Sequence, residues 1–208
     1  MNSSLVIDRI RSGIHADSAD CTKSGVRLSG VFQKASVLVP IVESTDGLFI
    51  PLMRRTKEGG PHSGQISFPG GRREAKDRDA VETALRETRE EYGWNSDGVT
   101  VLGCLEDEYT LTGYVVRPVV AHLQRALEYD PDPAEVEEIF HLPVDFLIDP
   151  ENEREMEPVS YEGRIFKIYE YHYQGVRIWG LTARILNKIA RMVRTPVEPT
   201  PVKQENKT

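Results

Sequence analysis

Gly70-Gly71-Arg72-Arg73-Glu74-Ala75-Lys76-Asp77, continuing to Arg86-Glu87-Thr88-Arg89-Glu90-Glu91-Tyr92-Gly93-Trp94, decides how this 208-residue chain is read. A glycine pair opens the stretch, a helix loaded with carboxylates follows, and Gly93 ends the helix. At about 100° per residue, Val81, Leu85, Thr88 and Tyr92 fall within roughly 60° of one another, with Ala84 beside them. That is an apolar stripe suited to packing on a sheet. Glu87, Glu90 and Glu91 fall on a second arc about 100° wide, centred roughly 120° from the first. These carboxylates are expected along the edge of the packed face, neither buried nor fully outside. Alone, an E-x-x-E-E run reads as a solvated acidic helix face. Like charges at these spacings repel by about a few tenths of a kcal/mol per pair. A cation held between them reverses that sign, and oxygen-only ligation favours Mg2+ or Mn2+ over zinc. Arg86 precedes the cluster, and its guanidinium is placed to hold Glu90 at i+4.

The segment resembles the Nudix box, G-x5-E-x7-R-E-U-x-E-E-x-G-U, through Gly71, Arg86, Glu87, Glu90, Glu91, Gly93 and Trp94. Asp77 stands where the pattern has glutamate, and eight residues rather than seven separate it from Arg86. Thr88 occupies a position that is usually apolar. The resemblance implies an α/β fold, a Nudix-type α/β/α sandwich with a mixed sheet. It also implies divalent-metal-dependent cleavage of a pyrophosphate bond. The expected metal ligands are Glu87, Glu90 and Glu91, with the backbone carbonyl of Gly71. Arg86, Glu87 and Glu90 are the expected catalytic residues. The activating base is left open among Glu90, Glu106, Asp107, Glu108, Glu135, Glu137 and Glu138.

A second block, His62-Ser63-Gly64-Gln65-Ile66-Ser67-Phe68-Pro69-Gly70-Gly71, resembles the segment before the box in the coenzyme A pyrophosphatase branch of that family. Arg55 and Thr56 also fit that branch, and a box longer by one residue is typical of it. Later segments at 112–120, 135–143 and 178–186 are similar to it too. Its Leu-Arg pair is replaced by Gly59-Gly60. Arg55, His62 and Arg72 are the expected substrate-binding residues, with Arg54 and Arg73 as further basic groups beside the phosphates. Tyr109 and Tyr114 are candidates for lining the substrate channel. The expected substrate is coenzyme A or acyl-CoA, giving adenosine 3',5'-bisphosphate and 4'-phosphopantetheine. ADP-ribose, NADH or nucleoside triphosphates are the alternative. A non-catalytic nucleotide sensor is the reading from another class. Such sensors usually lose a glutamate of the box, and all three stand here.

The net charge of −7 argues against general nucleic-acid binding, which needs clustered Lys and Arg. The expected partners are a small-molecule nucleotide and, at most, a second copy of the chain as a homodimer; no nucleic acid and no membrane are expected. No apolar run approaches the ~20 residues of a membrane span. The first residues lack a signal-peptide apolar segment, and a cytoplasmic location is expected. Cys21 and Cys104 lie far apart without metal spacing and are expected to be reduced thiols.

Along the chain, residues 1–32 read as an N-terminal helix (5–15) and a polar loop. Residues 33–194 read as the hydrolase domain, and 195–208 as a Pro-rich, disordered tail. Strands are expected at 35–42, 48–54, 65–68, 99–105, 114–123 and 136–142, and a hairpin at 166–173 and 176–179. Helices are expected at 78–92, 143–147 and 181–193.

Overall fold

The computed structural model describes residues 2–14, 21, 32–57, 63–110, 112–125, 127–161 and 164–194. The Gly59-Gly60 pair, His62, most of the 16–32 loop and the 195–208 tail lie outside the described residues. The elements in chain order are α1 (Ser3–Gly13), β1 (Gln33–Ser44), β2 (Gly47–Arg55), β3 (Ile66–Ser67), β4 (Gly70–Arg72), α2 (Ala80–Tyr92), β5 (Val99–Cys104), β6 (Glu108–Tyr109), β7 (Tyr114–Leu123) and β8 (Val136–Pro143). There follow α3 (Val144–Ile148), a short 3-10 turn (Pro150–Asn152), β9 (Arg154–Tyr161), β10 (Arg164–Tyr173), β11 (Val176–Trp179) and α4 (Gly180–Arg194).

The large sheet is mixed. β1 lies at its centre, parallel to β7 and antiparallel to β2 and β4. Side chains alternate along β1, and the two faces meet different helices. Leu38 packs with Ala84 of α2, and Val42 packs with Tyr92. Val39 and Ile41 join the opposite core, with Ile7 and Ile10 of α1 and Leu186 and Ile189 of α4. Helices therefore cover both faces, as the expected α/β/α sandwich requires. A second, three-stranded sheet (β9–β10–β11) lays Tyr169, Tyr171 and Ile178 into the α4 core.

Helix starts follow their caps rather than the apolar period. Asn2 accepts from the Ser4 N–H, so α1 begins at Ser3. Asp79 accepts from the Glu82 N–H at 2.9 Å, so α2 begins at Ala80, two residues later than the pattern suggests. Three strands escape the sequence pattern. β4 contains the glycine pair, and only pairing with Ala35–Val37 of β1 makes it a strand. β6 is two residues long, and β9 is a polar edge strand containing Pro158.

The two cysteines are corrected by the structure: Cys21 and Cys104 form a disulfide. Cys104 is fully buried at the end of β5, on the sheet face covered by α2, and Cys21 packs against the same cluster. A sequence separation of 83 hides the pairing, because only the folded sheet brings the two together. The cysteines therefore no longer argue for a reducing compartment. The bond closes a long loop, which should stabilise the fold by about 2–4 kcal/mol. Unreduced protein is expected to resist thiol alkylation and to weigh about 2 Da less than the reduced chain. Reduction should lower its urea midpoint. Alkylation of both cysteines without reduction would exclude the bond. Among the described residues, no helix is long and apolar enough to cross a membrane.

Candidate active site

The C-terminal half of α2 and the strand before it build the site. Gly93 ends the helix in the left-handed region (φ 72°), its N–H bonded to the Arg89 carbonyl. A Cβ there would stand 2.7 Å from Asp130, so both the turn and the neighbouring loop need glycine. Thr88 holds its usually apolar position by turning its hydroxyl onto the Ala84 carbonyl at 2.7 Å, within a buried stripe.

Arg86 is the hub of the helix. It is buried, and its Nε and Nη2 each donate to a carboxylate oxygen of Asp77 at 3.1 Å. Nη1 reaches Glu90 at 2.8 Å, and Nη2 reaches Glu87 at 2.9 Å and the Arg72 carbonyl at 3.0 Å. Asp77 also accepts from the Glu74 N–H at 2.9 Å and the Thr83 hydroxyl at 3.1 Å. Its hydrogen bonds to Arg86, more than any other influence, hold its carboxyl down at about 2. In the 73–79 loop, Arg73 donates to the carbonyls of Asp77 and Arg78.

The three glutamates differ in setting. Glu90 is half-exposed on Arg86, Glu87 is mostly covered, and Glu91 is 1% exposed. Glu91 therefore lies inside the packed face, not along its edge. Two groups compensate it there. Its Oε2 accepts the Gly70 N–H at 2.7 Å, and its Oε1 lies 3.1 Å from Nη1 of Arg55 without an aligned hydrogen bond. Burial outweighs both and pushes the Glu91 carboxyl up to about 8. Burial also raises Glu87, against the opposing pull of Arg86. Gly71 faces Glu87 so closely that a Cβ would stand 2.5 Å from the carboxyl carbon.

Among the described residues, no three carboxylate, imidazole or thiolate groups stand assembled as a cage. Guanidinium groups instead hold the helix carboxylates. The donor set nevertheless fits a hard divalent ion. It is all oxygen, it includes a buried Glu91 oxygen that lacks a hydrogen bond, and glycine at 71 keeps the backbone against Glu87.

Of the expected substrate-binding residues, Arg55 reaches the site, touching Glu91 and, through Nη2 at 3.5 Å, Glu135. The Arg72 side chain is exposed, and its carbonyl serves Arg86. His62 lies outside the described residues. Arg54 turns to Glu138, and Arg73 is committed to the loop. Tyr109 packs edge-on against Phe32, and Tyr114 is half-buried in β7. Two features were not legible in the sequence: Asp77 as the principal partner of Arg86, and the segment from Asp130 to Glu135 that borders the helix end. No local pattern signals either contact.

The NUDIX domain family model matches residues 32–162. The chain belongs to the Nudix family. A Nudix hydrolase of Photorhabdus laumondii described as uncharacterized, NudL, is 37% identical over 168 residues, which is 81% of this chain and 89% of that protein. NudL of Pectobacterium atrosepticum, described likewise, is 34% identical over 163 residues, 77% of this chain and 83% of its own. Nudix hydrolase 22, chloroplastic, of Arabidopsis thaliana is 36% identical over 168 residues, 77% of this chain but 55% of that longer protein. As a Nudix hydrolase, this chain is a pyrophosphate hydrolase of nucleoside diphosphate derivatives. Members of the family generally use divalent ions such as Mg2+ or Mn2+.

Proposed function

We propose that this Nudix hydrolase splits coenzyme A or acyl-CoA into adenosine 3',5'-bisphosphate and 4'-phosphopantetheine, with Mg2+ or Mn2+ as cofactor. The observation that carries the chemistry is the buried Glu91 carboxylate beneath Gly70, facing Arg55. A buried carboxylate with one oxygen outside any hydrogen bond is costly unless a ligand uses it. The substrate assignment rests on the block from Arg55 to Gly71, which resembles the coenzyme A branch.

In this reading Glu87 and Glu91 hold the ion, with Glu90 and the Gly71 carbonyl as further donors. When bound, the ion neutralises phosphate charge and stabilises the leaving phosphate. Arg86 fixes the carboxylates of Glu87 and Glu90 from behind, so they need little reorganisation. The Gly70 N–H fixes Glu91 in the same way. Arg55 is the described cation at the mouth of the site and binds a phosphate oxygen. Arg72, exposed at the end of β4, supplies a second positive charge.

The test is a hydrolysis panel of coenzyme A, ADP-ribose, NADH and nucleoside triphosphates with Mg2+ or Mn2+. Coenzyme A should be turned over fastest. Turnover of ADP-ribose without coenzyme A would overturn the substrate assignment. Absence of any diphosphate turnover would overturn the enzyme reading in favour of a sensor.

A further inference from the structure

Seven carboxylates compete as the proton acceptor for the attacking water, and their surroundings separate them. Asp107 is buried on Arg117. Glu108 is held between Arg184 at 2.9 Å and Lys188 at 2.8 Å, against α4. Glu106 stands largely exposed beside the same Lys188. Glu138 pairs with Arg54, whose neighbours Leu52 and Phe140 lie in the α4 core. Glu137 is exposed at the bulge where β8 shifts register on β2. Glu90 is held by Arg86 at 2.8 Å.

Glu135 is placed differently. The segment carrying it is fastened to the end of α2 and to the end of β2. Asp130 N–H bonds the Tyr92 carbonyl at 3.0 Å, and Asp132 N–H bonds the Glu91 carbonyl at 3.3 Å. On the other side, the Thr56 N–H donates to the Glu135 carbonyl at 3.1 Å and the Thr56 hydroxyl to the Ala134 carbonyl at 2.9 Å. These four bonds hold a loop more than forty residues from Glu91 in sequence against the helix carboxylates. The glycine at 93 leaves room for Asp130 to make the approach. Arg55 then bridges the two carboxylates, with Nη1 on Glu91 and Nη2 on Glu135. The Glu135 side chain is 50% exposed, so water reaches it, and 3.5 Å to Arg55 is a loose contact.

We propose that Glu135 is the general base of the hydrolysis. The role rests on the pyrophosphohydrolase reading above. Glu135 takes a proton from water as the water oxygen bonds to one phosphorus. The bridging P–O bond breaks, its electron pair stays on the leaving phosphate, and two phosphate monoesters result. No other reactant is needed.

The experiment compares wild type, Glu135→Gln and Glu135→Asp on coenzyme A and on ADP-ribose with Mn2+. Loss of a general base costs about 10²–10⁴ in rate, so kcat of Glu135→Gln should fall by that factor, with KM within about threefold. Glu135→Asp should recover part of it. Mn2+ affinity by calorimetry and the thermal midpoint should stay at wild-type values, since neither depends on proton transfer. A Glu135→Gln enzyme with kcat within about threefold of wild type would overturn the role, because general-base loss is far larger. Mn2+ binding weakened about tenfold or more would make Glu135 a metal ligand instead. A wild-type enzyme inactive on coenzyme A, ADP-ribose, NADH and nucleoside triphosphates alike would overturn the pyrophosphohydrolase reading, and this role with it.

Discussion

Glu91→Gln should lose metal-dependent turnover, by about a thousandfold or more in kcat, and keep its fold. Glutamine fills the same volume and can still accept the Gly70 N–H that now bonds Oε2 at 2.7 Å. What it cannot supply is the anionic oxygen beside Arg55. The stability side has a definite sign. The Glu91 carboxyl sits at about 8 in the folded chain against 4.5 for a free glutamate side chain, because burial disfavours its charge. A carboxyl raised in this way supplies stability below the unfolded value that is lost as pH climbs towards the folded value. Metal-free wild type should therefore weaken between pH 4.5 and about 8. Glu91→Gln, with no charge to bury, should weaken less and should melt higher than wild type above that window. Thermal melts with chelator across the window check this. Added Mn2+ should raise the wild-type midpoint and leave the variant unmoved. A variant that unfolds while answering Mn2+ as wild type does would make Glu91 a structural residue.

The sequence carries those parts of the site that lie within one or two turns of each other. Arg86 and Glu90 meet at i+4, the glutamates share an arc, and Gly93 caps the helix, all as the helical period dictates. β7 stands at 114–123 as its apolar run indicates, because a buried central strand needs little beyond that run. Contacts across loops are not carried by period. Asp77 reaches Arg86 over nine residues, Arg55 reaches Glu91 over thirty-six, and Arg55 reaches Glu135 over eighty. The burial of Glu91 has the same origin. A helical wheel puts it at the edge of the packed face, but the chain at Gly70 closes over it and supplies an N–H. The Cys21–Cys104 bond and the strand character of Gly70–Arg72 likewise depend on partners that only the sheet assembles.

Asp77→Ala should be the most destabilising single change at the site, costing about 3–5 kcal/mol. The reason is what it leaves behind. Arg86 and Asp77 have side chains only 6% and 3% exposed, and alanine strands the guanidinium, the Glu74 N–H and the Thr83 hydroxyl together. For a chain of this size, about 2–4 °C per kcal/mol makes that a drop of about 10 °C in the thermal midpoint. The pH dependence identifies the cause. Asp77 has a folded value of about 2, below the ordinary aspartate value of 3.8, so its contribution is complete above 3.8 and disappears as pH falls through about 2. The gap between wild type and variant should thus be flat at neutral pH and close only in strong acid. Restoring the family's usual residue should not repair the site. Asp77→Glu adds a methylene to a space already filled, at a cost of about 1–3 kcal/mol. The 73–79 loop already brings the shorter aspartate into contact with Arg86. If Asp77→Glu were as stable as wild type, the loop and the residue would not be matched. If Asp77→Ala melted within about 1 kcal/mol of wild type, Arg86 would be held by Glu87, Glu90 and the Arg72 carbonyl alone, and the buried pair would be dispensable.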